Sequence, residues 1–210
     1  MKVIKTTSVF VFAALMTQAC GGSDADKNND NMVDADEKME MQKNEMEDRE
    51  KTVKVGGAEM YPSKNIIQNA MNSEDHTTLV AAVKAADLVA TLEGPGPFTV
   101  FAPTNKAFEK LPAGTVDNLL KPENKKMLQG VLTYHVVSGS LNAEQLNTMI
   151  DQNNGKAELT TVQGGKIWVS KKMGKLVLTD EKGGTAQIDI KDVYQSNGVI
   201  HVIDAVVMHK

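Results

Sequence analysis

Residues Phe98–Phe108 read FTVFAPTNKAF, and Asn197–Met208 read NGVIHVIDAVVM. In the first stretch, Phe98–Ala102 is a short apolar run rich in aromatic and β-branched residues, the pattern of a buried strand. Pro103 ends it, and Thr104 supplies a hydroxyl to cap a following helix whose Phe108 and Leu111 face inward. Asn105 is placed to bond backbone near a helix start rather than a ligand. In the second stretch, Asn197 and Gly198 form a turn. Val199 and Ile203 then alternate with Ile200 and Val202 around His201, so both faces of this strand are apolar, as in the middle of a sheet. His201 therefore reads as an interior, hydrogen-bonded histidine.

Outward from these stretches, the first half of the domain favours helices and the second half strands. Asn65–Met71 is a short apolar-faced segment. Ser73, with Glu74 and Asp75 behind it, resembles an N-cap and first turn, after which Leu79, Val83 and Ala86 share one helical face. The helical pattern continues over Asp87–Leu92 until Gly94–Pro97 (GPGP) stops it. Beyond Phe108, Pro112–Gly114 closes a helix, Asp117–Leu120 and Asn124–Leu132 read as two more, and Tyr134–Val137 (YHVV) as a strand. Ala157–Val162, Lys166–Lys172, Leu176–Thr179, Ala186–Asp192 and Val199–Met208 are β-rich segments punctuated by glycine pairs and Asn-Gly, the spacing of hairpins. The expected class is α+β, a single domain with an N-terminal helical layer.

Charge divides the 210-residue chain further. Residues 21–51 carry five bases against eleven acids, whereas residues 52–210 carry sixteen of each. Ahead of the acidic stretch, Met1–Lys5 is basic and Val9–Met16 (VFVFAALM) is an apolar run that ends shortly before Ala19 and Cys20. Residues 1–19 thus read as an export signal. The run is much shorter than the roughly 20 residues a membrane-spanning helix needs. Cys20, the chain's single cysteine, resembles the acylated residue of a bacterial lipoprotein lipobox, although Thr17 stands where that motif usually has leucine. The expected product is an exported lipoprotein, anchored through N-terminal acyl chains at the outer membrane or cell surface rather than at the cytoplasmic membrane. Residues 20–51 would form an acidic, disordered tether. Within it, Asp26, Asn28, Asp30, Asp34 and Glu37 follow the oxygen spacing of a twelve-residue calcium loop, with Asn31 in place of its usual glycine and no entering helix. Calcium is the one cofactor this suggests. Met32, Met39, Met41 and Met46 would suit a soft metal such as Cu(I), but no histidine joins them.

Three blocks, Phe98–Phe108, Tyr134–Val137 and Asn197–Met208, resemble the signature segments of the fasciclin (FAS1) domain in order and spacing, and the resemblance covers about residues 62–208. It implies a FAS1-like β-sandwich wedge with a cluster of helices, in proteins that adhere to matrix, cells or polysaccharide. Animal members use a tyrosine–histidine pair near this point in integrin binding, so the resemblance also implies a recognition role for Tyr134 and His135, although for this chain an internal hydrogen-bonding role is the favoured reading. Independently of the resemblance, Lys171, Lys172 and Lys175 form a basic cluster near a hairpin, suited to an acidic polysaccharide or a lipid headgroup, or merely guarding a sheet edge.

Catalytic chemistry is not indicated. The domain contains no cysteine, no G-x-S-x-G and no phosphate loop, His76, His135, His201 and His209 fall at no metal spacing, and Asp189 and Asp192 make at best a weak carboxylate pair. Charge balance and the lack of interleaved aromatics argue against nucleic acid. The expected function is an extracytoplasmic binding module for a cell-surface protein or polysaccharide, with a carrier of a small hydrophobic ligand or a metal-responsive lipoprotein as alternatives. A flat lysine-rich face bearing Trp168 or Tyr194 would favour adhesion, and an open apolar groove would favour the carrier.

Overall fold

The computed structural model describes residues 51–210. Its centre is the pairing of the two quoted stretches. Strand β3 (Phe98–Pro103) lies parallel to β9 (Gly198–Ile203), in register from Phe98 opposite Gly198 to Pro103 opposite Ile203. β4 (Val136–Ser138) flanks β3, and β8 (Thr185–Gln195) flanks β9 on its other side, so β9 is interior and its apolar run has neighbours on both faces. Beyond β8 come β7 (Lys175–Thr179), β6 (Lys166–Lys172) and β5 (Lys156–Thr160), each antiparallel to the next. Val137 bridges Thr161, which brings the two ends of the seven-stranded sheet together in a near-barrel.

The sandwich is therefore one sheet folded over itself, and β8 is where it turns. This long strand shifts register against β9 between Ile188, Ile190 and Val193, with Asp192 in the left-handed region at φ 59°. Such bulges bend a strand and increase its twist, which lets β8 belong to both halves.

Side-chain alternation on the central strands separates two apolar clusters. Val100 and Ala102 of β3, with Ile200 and Val202 of β9, face the helical layer. That layer comprises α1 (Ile66–Ala70), α2 (Thr77–Ala85), α3 (Val89–Glu93), α4 (Asn105–Glu109), α5 (Thr115–Leu119) and α6 (Lys125–Tyr134). Phe101 and Ile203 point the other way, into a cluster with Leu146 and Ile150 of α7 (Ala143–Gln152) and Ile167, Val169 and Leu178 of the sheet. A hairpin ahead of residue 62, β1 (Val53–Val55) and β2 (Ala58–Met60), adds Val55 and Met60 to the first cluster.

Several local readings change. Asp87 takes φ 55°, so Asp87–Leu92 does not continue α2, and a separate α3 begins at Val89. Ser73 precedes a 3₁₀ turn (Glu74–His76), and its hydroxyl meets His76 Nδ1 at 2.9 Å instead of capping a backbone amide. Tyr134 ends α6 rather than starting a strand. The last strand stops at Ile203, not Met208, because the Asp204 carboxylate accepts the Gln187 amide at 2.7 Å and redirects the chain. Leu111 lies past the end of α4 at Glu109, is only partly buried and joins neither cluster, whereas Phe108 packs against the first. Thr104 Oγ1 accepts from the Ala107 amide, and Asn105 ties α4 to the start of α2 by accepting from the Thr78 amide at 3.0 Å and donating to the Glu74 carbonyl at 2.8 Å.

Phe101 and Ile203 are both fully buried, so Phe101→Ala and Ile203→Ala should each lower unfolding free energy by roughly 2–5 kcal/mol. Gly198→Ala tests the parallel pair itself, since a Cβ there would lie 2.1 Å from the Phe98 carbonyl oxygen. We expect all three to lower the urea midpoint; an unchanged midpoint for Gly198→Ala would contradict the close approach of β9 to β3.

Candidate functional site

The interior polar groups are occupied in holding elements together. Tyr134 is buried, its hydroxyl donating to the Lys166 carbonyl at 2.7 Å and accepting the Glu181 amide at 3.2 Å. Burial pushes this phenol up to about 12. The ring lies so close to Gly165 that a Cβ there would stand 2.8 Å from it. His135 Nδ1 lies 2.8 Å from the Val131 carbonyl, which can only accept, so Nδ1 carries the proton and Nε2 accepts the Val207 amide at 3.2 Å. Burial drives its pKa down to about 4. His201 Nε2 donates to the Leu141 carbonyl at 2.8 Å, Nδ1 accepts the Asp192 amide, and the ring stacks on Phe101 with centroids 5.8 Å apart. Burial lowers its pKa as well. The two side chains implicated by resemblance, Tyr134 and His135, are 0% and 3% exposed and present no surface to a partner in this structure.

The lysine cluster divides. Lys171 and Lys172 are successive residues of β6 and point to opposite faces of the sheet. Lys171 shares the side of Ile167 and Val169, and its Nζ reaches Asp151 on α7 at 2.9 Å. Lys172 and Lys175 are directly opposed across the β6–β7 hairpin and stand on the outer face. Sequence proximity grouped three lysines that strand geometry separates.

That outer face has a composition of its own. Strand register aligns Glu158, Trp168, Thr179 and Thr185 in one row and Lys156, Ser170, Val177 and Gln187 in the next, with Lys172 and Lys175 beyond them. Trp168, the chain's single tryptophan, is half-buried there. Its Nε1 donates to Glu158 at 3.1 Å, and Lys156 Nζ stands 4.7 Å from the ring centroid, a cation–π contact. Lys166 pairs with Glu158 at 2.8 Å, which holds that carboxyl below its usual range and raises the lysine. Four lysines thus share the face with Glu158 and with Asp189 at the β8 margin, where Gln187 Nε2 donates to it at 2.7 Å. With Asp204 beside Lys172 and Lys175, lysines still outnumber acids on this face, which carries the aromatic ring and a shallow depression lined by Lys172, Lys175, Val177, Thr185 and Gln187.

Other candidates resolve differently. Asp192 is a fastener, its Oδ1 accepting the Ala143 amide at the start of α7 at 2.6 Å, so it forms no reactive pair with the exposed Asp189. The apolar space between the helices and the sheet, lined by Leu79, Val83, Val100, Leu132 and Ile200 among others, amounts to about 40 Å³. A water molecule's share of the liquid is about 30 Å³ and ligand pockets begin near roughly 300 Å³, so this interior space is too small for the ligand of the carrier alternative. Among the described residues, no group of three or more His, Cys, Asp or Glu is placed to hold a metal. Cys20, the calcium-loop residues Asp26, Asn28, Asp30, Asp34 and Glu37, and the methionines from Met32 to Met46 lie outside the described residues.

A sheet closed on itself beneath helices, with the first and last signature segments paired at its centre, defines a fasciclin-type domain. The chain belongs to that family: the Fasciclin domain model matches residues 74–209. It is 47% identical to protein sll1483 of Synechocystis over 165 residues, covering 78% of this chain and 84% of that one. It is 36% identical over 144 residues to immunogenic protein MPB70 of Mycobacterium bovis, covering 66% of each. Similarity extends at 33% identity over 148 residues to transforming growth factor-beta-induced protein ig-h3 of Sus scrofa, 70% of this chain but 20% of that protein. Among solved structures, a FAS1 domain pair from the insect cell adhesion molecule fasciclin I superposes with a TM-score of 0.62 at 20% identity, covering 70% of this chain and 52% of the pair.

The buried histidines make stability depend on pH with a definite sign. An unfolded chain's histidine takes its proton near pH 6.5, while His135 in the fold does so at about 4. Between these values the unfolded state binds more protons, so the contribution is whole above about pH 6.5 and is lost as pH falls toward 4. The urea midpoint should drop across that window, and His135→Gln should flatten the drop. An unchanged slope in the variant would mean that His135 is not held neutral.

Proposed function

We propose that this protein is an exported, membrane-anchored adhesion module that holds an anionic polysaccharide on the outer face of β5–β8. The observation that carries the reading is Trp168, set on the outer sheet face among lysines in a domain of balanced charge. Lys156, now over the Trp168 ring, would turn to a carboxylate or sulfate group and open the ring plane to the C–H face of a sugar, Lys166 would exchange Glu158 for such a group, and Ser170 and Thr179 would offer hydroxyls. The rows of side chains run across four neighbouring strands, a length that suits an extended polymer. Family membership supports adhesion as the general role, since the superposed fasciclin I domains come from a cell adhesion molecule. No catalytic step is needed for this function.

Anchoring follows from the N-terminal sequence. Export through residues 1–19 and acylation of Cys20 would leave the acidic residues 21–51 as a spacer between membrane and domain, with any calcium affinity at Asp26–Glu37 in the weak extracellular range, on the order of 10⁻⁴ to 10⁻³ M.

Two measurements test the reading. Affinity electrophoresis through alginate or heparin should retard the protein less as salt rises. Trp168→Ala should weaken retention by about tenfold or more, the scale of a central aromatic anchor, with little change in melting temperature. Retention equal to the parent's would remove the face from the account. Separately, Cys20→Ser should move the expressed protein from the detergent phase to the aqueous phase, and unchanged partitioning would refute acyl anchoring there.

A further inference from the structure

The tip of the β6–β7 hairpin departs from local preference in three ways at once. Met173 and Gly174 form a two-residue connection with φ 49° and 76°, a turn of the type that favours asparagine or aspartate before glycine. A methionine in the left-handed region is an outlier. The residue is fully exposed, more so than any other large apolar residue among those described, so packing does not select it. Lys172 and Lys175 are directly opposed across the strands, and like charges in that position destabilise a hairpin. Neither forms an ion pair among the described residues. Two acids stand on that side: Asp204 is engaged by Lys110 at 3.0 Å and by the Gln187 amide at 2.7 Å, and Asp189, next along β8 from Gln187, accepts from the Gln187 side chain at 2.7 Å.

From the fully exposed Met173 between the opposed cations Lys172 and Lys175 at a projecting hairpin tip, we propose that this tip docks on an anionic lipid surface. The fit is chemical at each position. A flexible thioether extends beyond the fold's surface and can enter the interface between headgroups and acyl chains, a benefit that water does not give it. The two ammonium groups stand on either side of it, where long lysine stems lie along the apolar boundary while their charges meet phosphates. A polysaccharide would use the cations but would gain nothing from an unbranched apolar tip, whereas Trp168 suits a sugar ring. The tip and the Trp168 face lie along the same strands, Lys172 being four residues beyond Trp168 on β6. A tip set into a membrane would stand those strands away from it and leave the Trp168 face clear. The proposal is independent of the polysaccharide reading.

The test uses the full chain carrying Cys20→Ser, so that no acyl group at that residue can drive binding, sedimented with vesicles of phosphatidylcholine alone or with about 30% phosphatidylglycerol, a mixture chosen to supply negative surface charge. The parent should bind the anionic vesicles, more weakly as salt rises, and leave the neutral ones in solution. Lys172→Gln and Lys175→Gln should each reduce the partition coefficient about fivefold, and Met173→Ser should reduce it severalfold while Met173→Leu retains it. Melting temperatures of all four variants serve as the folding control, and Trp168→Ala should leave vesicle binding intact. Failure of the parent to bind, equal binding to neutral vesicles, or parent-like binding by the tip variants would overturn the proposal. Loss of heparin retention in the tip variants with vesicle binding unchanged would assign the lysines to polysaccharide instead and also overturn it. Failure of the polysaccharide reading would appear elsewhere, as parent-like heparin retention by Trp168→Ala.

Discussion

The parallel pairing of β3 with β9 is the constraint on which the rest of the domain depends. It joins segments about a hundred residues apart, with Gly198 so close to the Phe98 carbonyl that a Cβ there would not fit. Because β9 is interior, each side of it needs its own apolar cover, and the alternation of Ile200 and Val202 against His201 and Ile203 assigns one cluster to the helical layer and the other to the closed sheet. The turn that starts β9 also fastens the helices. Asn197 Nδ2 donates to the Leu92 and Gly94 carbonyls at 2.8 and 3.0 Å, and its Oδ1 accepts the Ile66 amide at 3.1 Å. One asparagine thereby ties three backbone groups of the helical layer to the strand that centres the sheet.

Polar groups within this frame are committed to architecture. Asn69 donates to the Gln195 side chain and the Tyr61 carbonyl, while Tyr134, His135 and His201 each hold a backbone group from a different element. Burying such groups is costly unless they are bonded, so once bonded they specify one arrangement. The consequence for function is a separation of roles. What makes the fasciclin fold recognisable is turned inward, and the proposed recognition surface is the outer face of β5–β8, where strand alternation places Lys156, Trp168, Ser170 and Lys172 opposite the core-facing side chains.

Much of the fold was legible because its signals are local. The alternation in Lys166–Lys172 and the glycine-bounded runs after it gave strand positions, and Thr104 and Asn105 behaved as their side-chain chemistry predicts. The helix Ala143–Gln152 went unread although its signal was present: Asn142 and Gln145 form a reciprocal capping box ahead of Leu146 and Ile150. Val136 and Val137 make Tyr134 look like the start of a strand, yet helix α6 runs through it, and a short apolar run alone does not decide between the two. The site was less legible than the fold. Lys171 and Lys172 could have been separated by period-two counting, but the meeting of Lys156, Glu158 and Trp168 depends on the register of β5 against β6, which no local pattern states.

The central claim is that recognition belongs to the outer sheet face while the signature residues serve the interior. Amide hydrogen exchange of the full chain, with and without saturating alginate, addresses it most directly. The account predicts added protection in β5, β6 and β7 around Trp168, with exchange near His135, Val207 and the β3–β9 pair unchanged. Protection centred on the α6–β4 junction or the helical layer, with the Trp168 strands unaffected, would contradict it.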